Sequence, residues 1–303
     1  MTFPHPPRSS NRRAVAMVSA LVVLAAGVLV AYLLRDRGRS GATSTPSSGT
    51  GEVPTAQTPG AMASCEPGQS GPLRLDTQFT ATDGSGQVVR YSISLPADYF
   101  TACKRYPVLY ALHGKEQNNI GFMDQTPPLR KAMDAGVLDQ AIIVTPDSFS
   151  TGRWENRDTG PAEDNLIKRL IPFIEQNYRV EAGPSHRLLV GFSMGGHGAI
   201  RFGLKYPQLF AAVWSVDGAM SEPSLYLPFV EGKTSADFHI IAVGGQLNGA
   251  RVQTLIDALK AKGIDIPYVY QDREHEFGAF IDEDEKAGWV ALKFLQQNLG
   301  RPM

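Results

Sequence analysis

From about Leu73 onward, short apolar runs alternate with longer amphipathic stretches, and this alternation narrows the available folds more than any other feature of the chain. The runs are RYSISL at 90–95, YPVLYAL at 106–112, AIIVT at 141–145, RLLVGF at 187–192, FAAVWSV at 210–216, HIIAV at 239–243 and PYVY at 267–270. Each is too short for a buried helix, and several are apolar at consecutive positions. Such runs are expected to be strands covered on both faces, as in a parallel sheet. Helical periodicity falls between them at 128–135, 165–177, 194–206, 251–262 and 286–298, with Gly136 and Gly263 closing two of these segments and Pro207 lying just past a third. Strand and helix in turn predict a doubly wound α/β sheet, and sheets of that kind place ligands at the carboxyl ends of their strands.

Ahead of that region, Ala14 to Leu34 is an uncharged run of 21 residues, with Arg8, Arg12 and Arg13 before it and Arg35, Arg37 and Arg39 after. A helix of this length reaches roughly 31 Å, enough to cross the hydrocarbon of a bilayer. The Ser/Thr/Pro/Gly-rich segment that follows has too little apolar surface to fold and reads as a tether. The expected organisation is a cytoplasmic terminus at 1–13, a single membrane span at 14–34, a linker at 35–71 and a folded domain at 72–303. That domain is expected on the extracytoplasmic side of the cell membrane. The only two cysteines, Cys65 and Cys103, lie near the start of the folded region, and a disulfide between them fits an oxidising compartment.

Charge excludes one class of function. The whole chain has a net charge of −1, but six of its 29 basic residues and only one of its 30 acidic residues precede position 41. The remainder therefore carries about six more acids than bases, and a domain of that sign repels phosphate backbones, so no nucleic-acid partner is expected. No Walker A or dinucleotide fingerprint occurs, and no cofactor is expected. Consecutive acids do not converge on one ion, so the run Asp282–Glu285 is expected to be a solvated loop rather than a metal site. Trp154, Phe122 and Met123 fall in loops and fit either a cleft lining or the core.

The chemistry-bearing motif is Gly191-Phe192-Ser193-Met194-Gly195, which follows the RLLVGF run directly and opens a helical pattern. A GxSxG match at a strand-to-helix turn is the setting that lifts a serine oxygen above a sheet. The helix N-terminus beyond it favours developing negative charge.

The wider stretch GFSMGGHGAIRFGLKYPQLFAAVWS at 191–215 resembles the nucleophile region of the esterase family that includes esterase D, feruloyl and acetylxylan esterases, siderophore esterases and the antigen 85 mycolyltransferases. YPVLYALHG at 106–114, Pro146-Asp147 with Trp154 beyond, and AEDNLIKRLIPFIEQNYRV at 162–180 agree in order, so the likeness extends over about 75–299. It implies an α/β-hydrolase fold and ester chemistry through an acyl-enzyme on Ser193. In that fold the base comes last in the chain, which among the six histidines selects His275. His113 is then expected to shape the loop after an earlier strand, and His197 to pack behind the nucleophile. Backbone N–H groups of Met194 and Lys115 are the implied oxyanion donors.

In one place the sequence departs from the resemblance. The family usually carries an acid in the loop after the strand corresponding to HIIAV, whereas this loop reads Gly244-Gly245-Gln246-Leu247-Asn248-Gly249. Three readings stay open: Asp217, after the preceding strand, supplies the acid; Ser193 and His275 act as a dyad; or the domain is a degenerate surface binding module. The first predicts a membrane-anchored serine esterase acting on a small-molecule or cell-envelope ester. An acyltransferase delivering the acyl group to a sugar hydroxyl would use the same residues.

Overall fold

The computed structural model describes residues 62–66, 68–148 and 153–301. The expected span at 14–34 and the terminus before it lie outside the described residues, among which no helix is long and apolar enough to cross a membrane. Among the described residues, contacts with the folded domain are present from Met62, ahead of the expected boundary at 72: the Tyr99 hydroxyl donates to the Met62 carbonyl at 2.6 Å, and the Arg179 guanidinium donates to the carbonyls of Ser64 and Tyr99.

One sheet dominates. Its strands are β1 (Arg74–Thr80), β2 (Val88–Ser94), β3 (Val108–Leu112), β4 (Ile142–Pro146), β5 (Arg187–Phe192), β6 (Ala212–Val216), β7 (Ile240–Gly244) and β8 (Tyr268–Tyr270), in the spatial order β1-β2-β4-β3-β5-β6-β7-β8. The first two join antiparallel, and all pairings from β4 to β8 are parallel. Every residue of β3, β4, β5, β6 and β7 is buried, because helices cover both faces. Alternation along β3 shows the division: Val108, Tyr110 and Leu112 enter one apolar cluster, Leu109 and Ala111 the other.

The covering helices are α1 (Pro127–Asp134), α2 (Ile171–Asn177), α3 (Met194–Lys205), α4 (Gly249–Lys260), α5 (Phe277–Lys286) and α6 (Val290–Asn298). The helix expected from 286 begins only at Val290, since Gly288 and Trp289 both take left-handed backbone and break it from α5. The acidic run at 282–285 is not the expected loop. It forms the last turns of α5, where Phe277, Phe280, Ile281 and Asp284 make a buried stripe. The Asp284 carboxylate accepts from the backbone N–H groups of Ala291 and Leu292 at 2.8 and 3.2 Å, capping α6.

Cys65 and Cys103 are joined in a disulfide across a sequence separation of 38. Closing a loop of that size restricts the unfolded chain, so Cys65→Ser with Cys103→Ser is expected to lower stability by about 3 to 4 kcal/mol. A denaturant midpoint displaced by less than about 1 kcal/mol equivalent would mean that the Tyr99 and Arg179 hydrogen bonds hold the segment alone.

Candidate active site

The carboxyl ends of β3, β5, β6, β7 and β8 are neighbours, and the loops leaving them supply Lys115, Ser193, Asp217, Asn248 and His275. Ser193 follows β5 and precedes α3, with a left-handed φ of 56°. Backbone of that kind costs a non-glycine residue on the order of 1–3 kcal/mol and persists only when the surroundings enforce it. Here the Ser193 N–H donates to the Val216 carbonyl at 3.0 Å, and its own carbonyl accepts from the N–H groups of His197 and Ala219 at 3.1 and 2.9 Å. Two glycines let the turn close. A Cβ on Gly191 would stand 2.0 Å from the Gly195 carbonyl oxygen, and one on Gly195 would stand 2.0 Å from that of Leu112.

His275, after β8, lies with its ring on that of Phe192, the centroids 4.5 Å apart and the planes inclined by 30°. That contact sets the imidazole beside the residue preceding the serine. Its Nδ1 donates to Asp217 Oδ2 at 2.5 Å; the histidine side chain is 26% exposed, the aspartate 0%. Asp217 leaves β6 in left-handed backbone as well, with φ 40°. Its Oδ1 accepts from the N–H groups of Gly245 at 2.8 Å and Asn248 at 3.2 Å, and the Asn248 amide Nδ2 donates to the Asp217 carbonyl at 3.0 Å. Asn248 therefore holds the aspartate from behind and does not meet the imidazole. The Ser193 hydroxyl makes no hydrogen bond among the described residues; such contacts often tighten only when substrate arrives.

The loop after β3 lies directly against the serine, since a Cβ on Gly114 would be 3.3 Å from Ser193 Cβ. His113 is fully buried and organises this loop: its Nδ1 donates to the Gly114 carbonyl at 2.7 Å and its Nε2 accepts from the Ser148 N–H at 3.1 Å. The Gly114 N–H donates to Gln117 Oε1 at 3.0 Å, which ties the start of this loop to its next turn. Lys115, Ser193 and Met194 line one cleft of about 560 Å³, walled on its apolar side by Ala219, Met220 and Leu247.

Other residues have structural roles. Trp154, Phe122 and Met123 are core, not cleft lining, and the Trp154 indole donates to the His113 carbonyl at 3.2 Å. His197 is buried behind the elbow, hydrogen-bonded to the Tyr226 hydroxyl and to Glu155 at 3.2 Å. Burial holds its imidazole below the usual value, and the contact with His197 holds the Glu155 carboxyl down to about 2. A second cavity of about 490 Å³, beside Phe79, Tyr91 and Phe173, is lined by none of the residues that line the serine cleft. Sequence reasoning did not single out Phe192, Gln117, Arg153 or Arg251. The last two line the serine cleft, and no linear motif marks them.

A serine elbow, a carboxylate and an imidazole met in that chain order at the carboxyl ends of a mostly parallel sheet are the arrangement of the α/β-hydrolase class. The profile of the Esterase family matches residues 84–289, and the chain belongs to that family. Esterase Rv1288 of Mycobacterium tuberculosis is 37% identical over 140 residues, 43% of this chain and 29% of that protein. The endo-1,4-beta-xylanase/feruloyl esterase of Xylanibacter ruminicola is 25% identical over 208 residues, 65% of this chain and 28% of its own length. The chain thus spans under a third of either relative. In fold it is similar to a ferulic acid esterase of known structure, with a TM-score of 0.64 at 21% identity over 75% of this chain and 98% of that one.

Proposed function

We propose that this chain hydrolyses a carboxylic ester through an acyl-enzyme on Ser193, with His275 as base and Asp217 as the acid that orients it. Ser193 Oγ attacks the ester carbonyl carbon while its proton passes to His275 Nε2. The imidazolium so formed keeps its Nδ1–H on Asp217 Oδ2, whose negative charge offsets it. The tetrahedral oxyanion is held by the Met194 and Lys115 N–H groups, each such donor contributing about 3 to 4 kcal/mol to the transition state. As the C–O bond to the leaving group breaks, the alcohol takes the proton from Nε2. Water, deprotonated by the same nitrogen, then attacks the acyl-enzyme and releases the acid and free Ser193.

The observation that carries this reading is the 2.5 Å bond from His275 to Asp217, made while the ring lies on Phe192 next to the serine. It favours the three-residue arrangement over a dyad, and an intact, strained elbow argues against a degenerate binder. Covalent labelling by a fluorophosphonate probe tests it: the full chain is expected to label and the Ser193→Ala chain not to, and well-folded protein that stays unlabelled would defeat the proposal.

This esterase is further proposed to work outside the cytoplasmic membrane, anchored by the apolar run at 14–34. The run itself and the Cys65–Cys103 disulfide support that placement. Protease added to intact cells is expected to remove the catalytic domain; full protection until the cells are lysed would reverse the topology.

A further inference from the structure

Among the described residues, the cleft that holds Ser193 is lined by three cationic residues, Lys115, Arg153 and Arg251, and by no aspartate or glutamate. This runs against the charge of the rest of the protein, which has an excess of acids beyond its N-terminal segment. Lys115 is paired with Glu116 at 3.2 Å, both of them exposed. The two arginines have no acidic partner among the described residues: Arg153 donates to the Ser221 hydroxyl, and Arg251 makes no side-chain hydrogen bond or ion pair. Arg251 also stands in the first turn of α4, where the helix dipole disfavours a cation and where no acid offsets it. Two arginines and a helix N-terminus thus line one small cleft, with no acid among the described residues paired to either guanidinium. A ligand of opposite charge would supply that pairing, and the planar fork of arginine suits carboxylate and phosphate oxygens.

We propose, building on the esterase reading, that the ester taken by this cleft carries an anionic group of its own, a carboxylate or a phosphate, which Arg153 and Arg251 bind while Met194, Met220 and Leu247 hold the apolar part. The arginines are positioning and specificity residues, while the bond-breaking steps remain those of Ser193 and His275.

Esters of similar size that carry an anionic or a neutral group at the same place test this. On the acyl side 4-nitrophenyl hemiglutarate is set against 4-nitrophenyl pentanoate; on the alcohol side 4-acetoxybenzoate and 4-acetoxyphenyl phosphate are set against 4-acetoxybenzamide. The full chain is expected to show kcat/KM about tenfold or more higher for the anionic member of at least one set, with the preference shrinking as salt is raised to about 0.5 M. The identity of the preferred member reports which anion and which side of the ester is read. Arg251→Gln, at an exposed position without a partner to lose, is expected to reduce the anionic-to-neutral ratio about fivefold through KM. Ratios near one in every set, or a ratio that Arg251→Gln leaves unmoved, would overturn the proposal. If the full chain hydrolyses none of these esters, the esterase reading is what has failed. Calorimetric titration of Ser193→Ala then decides the charge preference separately: tighter binding of the anionic esters supports it, and equal or absent binding ends it.

Discussion

Ser193→Ala is expected to reduce kcat for an activated ester by about 10⁶, the scale seen when a serine nucleophile is deleted and only the oxyanion donors and substrate binding remain. The size of the effect follows from how little else the substitution disturbs. The hydrogen bonds that hold the elbow, from Ser193 to Val216 and from His197 and Ala219 to Ser193, all use backbone atoms that alanine also has. Alanine tolerates the left-handed turn no better than serine but no worse, so the melting temperature is expected to stay close to that of the parent. Circular dichroism and melting therefore serve as the control, and turnover of 4-nitrophenyl acetate as the readout. A variant that keeps more than about one hundredth of the parental kcat would place the nucleophile elsewhere.

Asp217→Asn is expected to lower kcat by about 10⁴, the loss recorded for the same exchange in serine proteases. The geometry here explains why an amide would fail. Asp217 Oδ1 is fixed by two backbone donors, Gly245 and Asn248, so the oxygen of an asparagine would stay with them. Its NH₂ group would then face His275 Nδ1 and force that nitrogen to accept. The ring's proton would move to Nε2, the atom that must take the proton of Ser193, and the base would be in the wrong tautomer. Activity within threefold of the parent would remove Asp217 from the mechanism and restore the dyad. Asp217→Ala is a poorer test, because it also strips two buried amides of their acceptor.

Much of this was legible in the sequence, for physical reasons that can be named. The fully buried strands β3 to β7 announce themselves because parallel strands covered on both faces must be apolar throughout. Ser193 was legible because an elbow needs small residues in fixed places around it. β1 was not, since RLDTQFT is an edge strand whose residues alternate between exposed and partly covered positions and include two charges. The reading of 282–285 as a loop failed because a run of charges masked the helical spacing of Phe277, Phe280, Ile281 and Asp284, whose last member is buried as a cap rather than as an apolar group. Asp217 could be proposed but not chosen. Its role depends on β6 lying between β5 and β7, and on a loop from β7 folding back over it, neither of which is written locally. The arginines of the cleft come from separate loops and helices, so only the folded chain brings them together.

The pairing of Asn248 with Asp217 gives the departure from the family pattern a meaning of its own. The amide at 248 donates to the main-chain oxygen of 217, so an acid there would set two oxygens face to face at about the 3.0 Å now spanned by a hydrogen bond. Asparagine at the end of one strand thus latches the main chain of the residue at the end of the next, whose carboxylate meets the imidazole. Under the proposed mechanism position 248 therefore calls for an amide and not an acid, because the neighbouring strand already brings a carboxylate to the imidazole.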